Sequence, residues 1–202
     1  MADAKLEAEL AVLESRLLAD FVTEFPDAPS LEERILVNAY LVLAHACIEE
    51  HVEALFQLHA DSLVCEDTET TVGRAVAAAV YAWHEPAKSK SYRDRKIGDI
   101  IKAGSAHVTK ATQKNNGIKE SNIEGLAKAA GVEWPPFDDA CNAALIKLGT
   151  LGGKRGEVAH VSVSRTQITN TPVYPSDAKT WVWDAVAGAS VISDYLEGSR
   201  KP

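Results

Sequence analysis

Arg155 and His160 are the two residues of this chain whose types and spacing best fit a chemical task. They stand five apart in Lys154-Arg-Gly-Glu-Val-Ala-His160. On a helix, five residues turn by about 140° and rise about 7.5 Å, so the two side chains leave on adjacent faces and their length lets both reach one groove. The planar guanidinium is a fork for phosphate oxygens. The imidazole can take up or release a proton near neutral pH. Together they suit phosphodiester chemistry: a fixed cation on the phosphoryl oxygens and a group that moves protons. The same spacing also fits a surface charge followed by a helix-end histidine.

Other residues fall into place around that pair. Lys154 precedes the arginine and is a candidate for holding a polyanion backbone. Residues 71–119 carry 10 Lys/Arg against 3 Asp/Glu, whereas residues 1–70 carry 3 against 16. The chain is acidic as a whole, with net charge -8, yet its middle is basic. Since charges are screened over about 8 Å, a basic tract can bind a polyanion locally even in an acidic protein. Lys88, Lys90, Arg93 and Lys96 form the densest part of that tract. It also reads as a solvated face. His45, His51 and His59 are not spaced by three or four, so no helix face presents two of them as neighbours. We expect no metal site and no cofactor.

The elements that must position these groups are helical. Leu6, Leu10, Leu13, Leu17 and Phe21 predict an amphipathic helix over 4–24, ended by Pro26 and Pro29. Ser30-Leu-Glu-Glu33 is a capping box opening the longest helix, which runs to about His59. That helix is apolar on nearly every side between Ile35 and Ile48, which predicts a central position. An alanine-rich helix is expected over 69–83, a loop over 87–96, a short helix near 96–103, and turn or loop over Thr109–Lys119. Ser121-Asn-Ile-Glu124 reads as a second capping box, and Gly131 as the end of the helix it opens. A helix over about Phe137–His160 follows Pro135-Pro136, with Leu145, Leu148 and Leu151 on its apolar face. Gly149, Gly152 and Gly153 inside it each cost about 1 kcal/mol relative to alanine, which predicts a kink or a close approach. An irregular stretch and a last helix over about 177–197 complete the chain.

The 202 residues fit one domain over 1–202, an all-α bundle of about six helices with a long central one. No run of eighteen apolar residues marks a membrane span. The acidic, amphipathic start is unlike a signal peptide. Three widely spaced cysteines form neither a disulfide frame nor a zinc site. The expected location is the cytoplasm.

In this order the pieces resemble a HEPN domain, most closely its RiboL-PSP-HEPN branch. Leu41-Val-Leu-Ala-His-Ala-Cys-Ile-Glu-Glu-His-Val52 is similar to the family's apolar helix with one acidic residue, here best matched by Glu49. Asn115–Gly131 is similar to the branch's loop and capped helix, and Tyr174-Pro-Ser-Asp-Ala178 fits what precedes its last helix. Arg155-Gly-Glu-Val-Ala-His160 matches the signature of Arg, four to six residues, then His.

The resemblance implies a bundle that dimerises, bringing two Arg–His pairs into one cleft. Many relatives are metal-independent ribonucleases of toxin–antitoxin and antiviral systems. It therefore implies Arg155 and His160 as catalytic residues, with Glu49 orienting or charge-stabilising one of them; Glu49 also reads as a surface carboxylate. RNA is the implied substrate, and a cognate antitoxin or regulatory protein an implied partner. Two positions depart from the pattern. Gly156 stands where many active members have a polar residue, and Ser162 where the branch paired with nucleotidyltransferase antitoxins has a tyrosine. The alternative is a catalytically inactive, dimeric module of the same fold that binds nucleotide, RNA or a partner protein. No helix-turn-helix with a basic recognition helix supports a transcription regulator.

Overall fold

The computed structural model describes residues 2–21, 23–25, 27–65, 97–159 and 172–199. The expected helix over 69–83, the tract 87–96 and the irregular stretch after His160 lie outside the described residues. Among the described residues there are six helices and no strand: α1 (Ala2–Leu17), α2 (Leu31–Cys65), α3 (Ile97–Lys114), α4 (Glu120–Ala129), α5 (Trp134–Ala159) and α6 (Pro175–Gly198). The fold is all-α. Its residues pack as two compact units, Met1–His51 with Gly117–Glu120 and Ala143–Ile192, and Val52–Asn116 with Ser121–Asn142 and Ser193–Pro202.

In the first unit, α1 buries Leu6 and Leu10. It stops at Leu17, earlier than the apolar spacing predicts. The chain turns there and sends Leu18, fully buried, into the core, and Phe21 N–H bonds back to the Leu18 carbonyl at 3.3 Å. The capping box forms as the sequence dictates. Ser30 N–H donates to Glu33 Oε2 at 2.7 Å and Glu33 N–H donates to Ser30 Oγ at 3.2 Å. Thr23 also donates to Glu33, so one buried carboxylate ties the incoming connection to the start of α2. These hydrogen bonds hold its pKa below the ordinary 4.5, the Thr23 hydroxyl contributing most.

α2 is not apolar-packed all round. Val37, Tyr40, Leu41, Ala44 and Ile48 are fully buried, whereas Leu31, Ile35 and Leu43 are exposed. Its composition reads as central because both faces are apolar, yet among the described residues Leu31, Ile35 and Leu43 stay exposed on one of them. By length and composition alone Leu31–Ser62 is apolar enough to cross a membrane, with 44% of its most apolar window buried. The core helix of a soluble protein meets the same criterion. In the same unit α5 buries Leu145, Leu148 and Leu151, and α6 buries Ala178, Val182 and Ala185. A Cβ at Gly188 of α6 would stand 3.0 Å from the Ala144 carbonyl oxygen of α5, so the two backbones touch there.

The second unit is built around Phe137. Its ring meets Phe56 at 6.0 Å, Trp134 at 5.5 Å and, edge-on, Tyr195 at 5.1 Å between centroids. α3 is longer than expected, because Thr109–Lys114 is helical and only 115–119 lies between it and the next helix. The Glu and Gln partners explain this: Asn115 Nδ2 donates to Glu53 Oε1 at 2.9 Å, and Thr109 Oγ1 donates to Gln57 Oε1 at 3.0 Å. α4 begins at Glu120, which puts Ser121 inside the helix rather than at its cap. Glu124 pairs instead with Lys128 one turn on. Gly131 does close α4. With φ 78°, it donates to the Lys128 carbonyl while Val132 N–H donates to that of Ala127 at 2.9 Å, a Schellman ending. α5 starts at Trp134, so Pro135 and Pro136 occupy its first turn, where proline has no helical hydrogen bond to lose. α6 likewise takes Pro175 as its first residue.

Candidate functional site

The Leu145, Leu148 and Leu151 stripe fixes the roll of α5, and with it the direction in which Arg155 leaves. Between the stripe and the arginine stands Gly152, buried against Ile118 and Lys119, whose atoms a Cβ would meet at 3.6 and 3.1 Å. Gly117, with φ 136°, makes the turn that brings these two residues in. The close approach predicted by the glycines is therefore found at Gly152. A Cβ at Gly149 or Gly153 would meet nothing within 4 Å, and α5 continues through all three. Arg155 is half-buried, one turn before the end of α5.

On α2, His45 and Glu49 are one turn apart and share a face. His45 is 2% exposed, and its Nδ1 lies 3.6 Å from Glu49 Oε2. That separation is a polar contact slightly beyond hydrogen-bonding length. Burial pushes the His45 pKa down to about 4, and the positive charge of Arg155 pushes in the same direction. The imidazole is therefore neutral at physiological pH. The ring thus faces Glu49 on its own helix and feels the charge of Arg155 from α5, which relates the three side chains through His45. Two of the three, Arg155 and Glu49, are sequence-predicted site residues. The third, His45, reads in the sequence only as a candidate metal ligand. Its signal there is the i, i+4 spacing to Glu49, which puts the two side chains on one helix face.

Lys154 is engaged. Its Nζ is 3.0 Å from Glu157 Oε2 and 5.1 Å from the centroid of the Trp181 ring on α6. A cation held between a carboxylate and an indole face offers less charge to a polyanion than a free lysine. Gly156 leaves open space, since a Cβ there would meet nothing within 4 Å. His160, Lys88, Lys90, Arg93 and Lys96 lie outside the described residues. Of the basic tract, Lys110, Lys114 and Lys119 are described and exposed. Among the described residues, no three His, Cys, Asp or Glu side chains are grouped to hold a metal ion.

An open groove of about 410 Å³ lies elsewhere in the same unit, lined in part by Glu14, Ser15, Lys179 and Trp183. Its polar groups are used on one another: Trp183 Nε1 donates to Glu14 Oε2 at 3.0 Å, Lys179 pairs with Glu14 Oε1 at 3.2 Å, and Ser15 donates to the Val12 carbonyl. None of Arg155, Glu49 or His45 lines it.

Compared with known proteins, the chain matches the sequence model of one family, described as RiboL-PSP-HEPN, over residues 13–197, nearly its whole length. No curated protein and no solved structure matches it.

Proposed function

The chain belongs to the RiboL-PSP-HEPN family, and on that premise we propose that it is a metal-independent endoribonuclease acting as a toxin or antiviral-defence effector. Family membership points to nuclease-like or nucleotide-related chemistry. The observation that carries the finer reading is the Arg155–His45–Glu49 cluster, whose arginine stands five residues before His160 in sequence. In it a buried, neutral imidazole faces the Glu49 carboxylate and feels the permanent charge of Arg155, which leaves a helix whose roll is fixed by packing.

In this reading the RNA 2′-hydroxyl oxygen bonds to the adjacent phosphorus and the bond from phosphorus to the 5′-oxygen breaks. The products are a 2′,3′-cyclic phosphate and a 5′-hydroxyl. His160 takes the proton from the 2′-hydroxyl, and a second His160, from another copy, gives one to the leaving oxygen. Arg155 stabilises the charge that grows on the phosphoryl oxygens. Two features favour the pairing of copies: the exposed Leu31, Ile35 and Leu43 of α2, and the open space over Gly149 and Gly153 of α5. Lys154 and the tract with Lys88, Lys90, Arg93 and Lys96 would hold the RNA backbone.

The second reading, a non-cleaving dimeric module that binds nucleotide, RNA or a partner protein, is favoured by Gly156, which brings no polar side chain to the space beside Arg155. Incubating the purified protein with total RNA in EDTA separates the two. Cleavage leaving cyclic phosphate ends supports the nuclease; intact RNA with retained RNA binding supports the module.

A further inference from the structure

We propose that Lys119 is a substrate-binding residue of this site: its ammonium takes the RNA phosphate next to the one that Arg155 holds, across the open face of α5 at Gly156. The choice of RNA as the ligand rests on the ribonuclease reading; the placement of Lys119 against α5 stands without it.

Three observations carry the proposal. First, the connection before α4 is packed onto α5 one turn ahead of Arg155, within one compact unit. Gly117, with φ 136°, turns the chain. Ile118 then enters the core, fully buried, and Lys119 points out and is exposed. A Cβ at Gly152 would stand 3.1 Å from Lys119 Cγ, 3.7 Å from its backbone nitrogen and 3.6 Å from Ile118 Cγ1. The lysine stem therefore lies over bare backbone of α5, as lysines lay their stems on a surface and keep the charged head in water. Glycine is a poor helix residue, and here its missing side chain is the room that the stem occupies.

Second, Arg155 and Gly156 follow Gly152 by three and four residues, the spacing of neighbours on one helix face, with Cβ positions about 5–6 Å apart. The remaining length of the lysine beyond Cγ brings its ammonium within reach of the space beside Arg155. A Cβ at Gly156 would meet nothing within 4 Å, so that space is open to a ligand. Third, Lys154, next to Arg155 in sequence, is engaged by Glu157 and the Trp181 ring, whereas Lys119 makes no ion pair with another described residue. Two cations brought to one helix face repel each other unless anionic charge lies between them. Consecutive phosphates of a strand supply that charge, one to each cation.

The test uses the full-length protein and a short single-stranded 2′-O-methyl RNA, which carries the phosphates but lacks the attacking hydroxyl, so binding is read apart from cleavage. Lys119→Gln and Lys119→Met keep the stem over Gly152 and remove the charge. Lys119→Arg keeps the charge, and Lys5→Gln makes the same charge change at an exposed position of α1. One single-strand phosphate contact contributes about 0.7 to the salt slope, which, counted from about 1 M salt, is an affinity loss of about 4-fold at about 0.15 M and about 8-fold at about 0.05 M. We expect both neutral variants to show these losses, with Lys119→Arg and Lys5→Gln near wild type. On cleavable RNA, KM should rise by the same factor with kcat little changed, as for a contact made equally in the ground and transition states. Unchanged affinity and slope in the neutral variants overturn the proposal. So does an equal loss in Lys5→Gln, which reports only net charge, or a wild type that does not bind the probe. A fall in kcat at constant KM puts Lys119 on the reacting phosphate and overturns its assignment to the neighbouring one. A wild type that binds the probe through Lys119 but cuts no RNA keeps the proposal and overturns the ribonuclease reading instead.

Discussion

Replacing Gly188 with alanine tests the packing that sets α6 against the helix carrying Arg155. The new Cβ would stand 3.0 Å from the Ala144 carbonyl oxygen, 3.4 Å from its Cα and 3.6 Å from its carbonyl carbon. All three are backbone atoms of a buried helix, so neither side can rotate away and the helices must separate by a few tenths of an ångström. Alanine gains about 1 kcal/mol of helix propensity over glycine. Overpacking a tight contact costs about 1–3 kcal/mol, so the net effect runs from neutral to a loss of about 2 kcal/mol. Gly125→Ala is the reference, since a Cβ there meets nothing within 4 Å and only the propensity gain remains. Gly152→Ala should fall between them, because its tightest neighbour, Lys119 Cγ at 3.1 Å, belongs to a flexible side chain. Thermal unfolding followed by far-UV circular dichroism reads the order. With about 2–4 °C per kcal/mol for a chain of this size, Gly188→Ala should melt at least about 2 °C below Gly125→Ala. A Gly188→Ala protein melting at or above Gly125→Ala would refute the close contact.

Acid should destabilise the protein through His45. Its folded pKa is depressed from 6.5 to about 4, so the unfolded chain takes up this proton first. Stability is then lost as pH falls from 6.5 toward 4, by about 3 kcal/mol in all. In His45→Leu, denaturant melts at pH 7 and pH 4.5 should show that part of the loss gone; an unchanged pH dependence contradicts it. Neutralising Lys88, Lys90, Arg93 and Lys96 together should weaken RNA binding and lower its salt slope by roughly 0.7 for each phosphate no longer neutralised; an unchanged slope in a filter-binding titration places the binding surface elsewhere. In mixed dimers of wild type and Arg155→Ala, a composite site predicts activity well below half that of wild type, and half activity means independent sites.

The sequence was most legible where local chemistry decides structure. The Ser30–Glu33 box and the Gly131 ending could be named residue by residue, because each is a short-range hydrogen-bond pattern with fixed partners. Local reading failed where tertiary partners decide. Thr109–Lys114 contains residues common in turns, yet helix α3 runs through them because Thr109 and Asn115 find Gln57 and Glu53 fifty to sixty residues away in sequence. Ser121 and Glu124 match a capping box, but the helix starts two residues too early to use it. The even grease of α2 predicted burial on all sides; which side meets the core depends on where α5 and α6 pack, which periodicity on α2 does not encode. Among the candidate residues, Arg155 was singled out by its type and spacing and Glu49 by family resemblance. His45 was visible only as a histidine, since its burial and the charge that reaches it from α5 depend on how the helices pack.

The central claim is tested most directly by RNA cleavage in EDTA with His160→Ala protein whose far-UV spectrum and melting temperature match wild type. General acid–base help is worth about 10²–10⁴-fold, so wild type should leave 2′,3′-cyclic phosphate ends while the variant falls by at least about 10²-fold. Cleavage by folded His160→Ala at the wild-type rate would contradict the account.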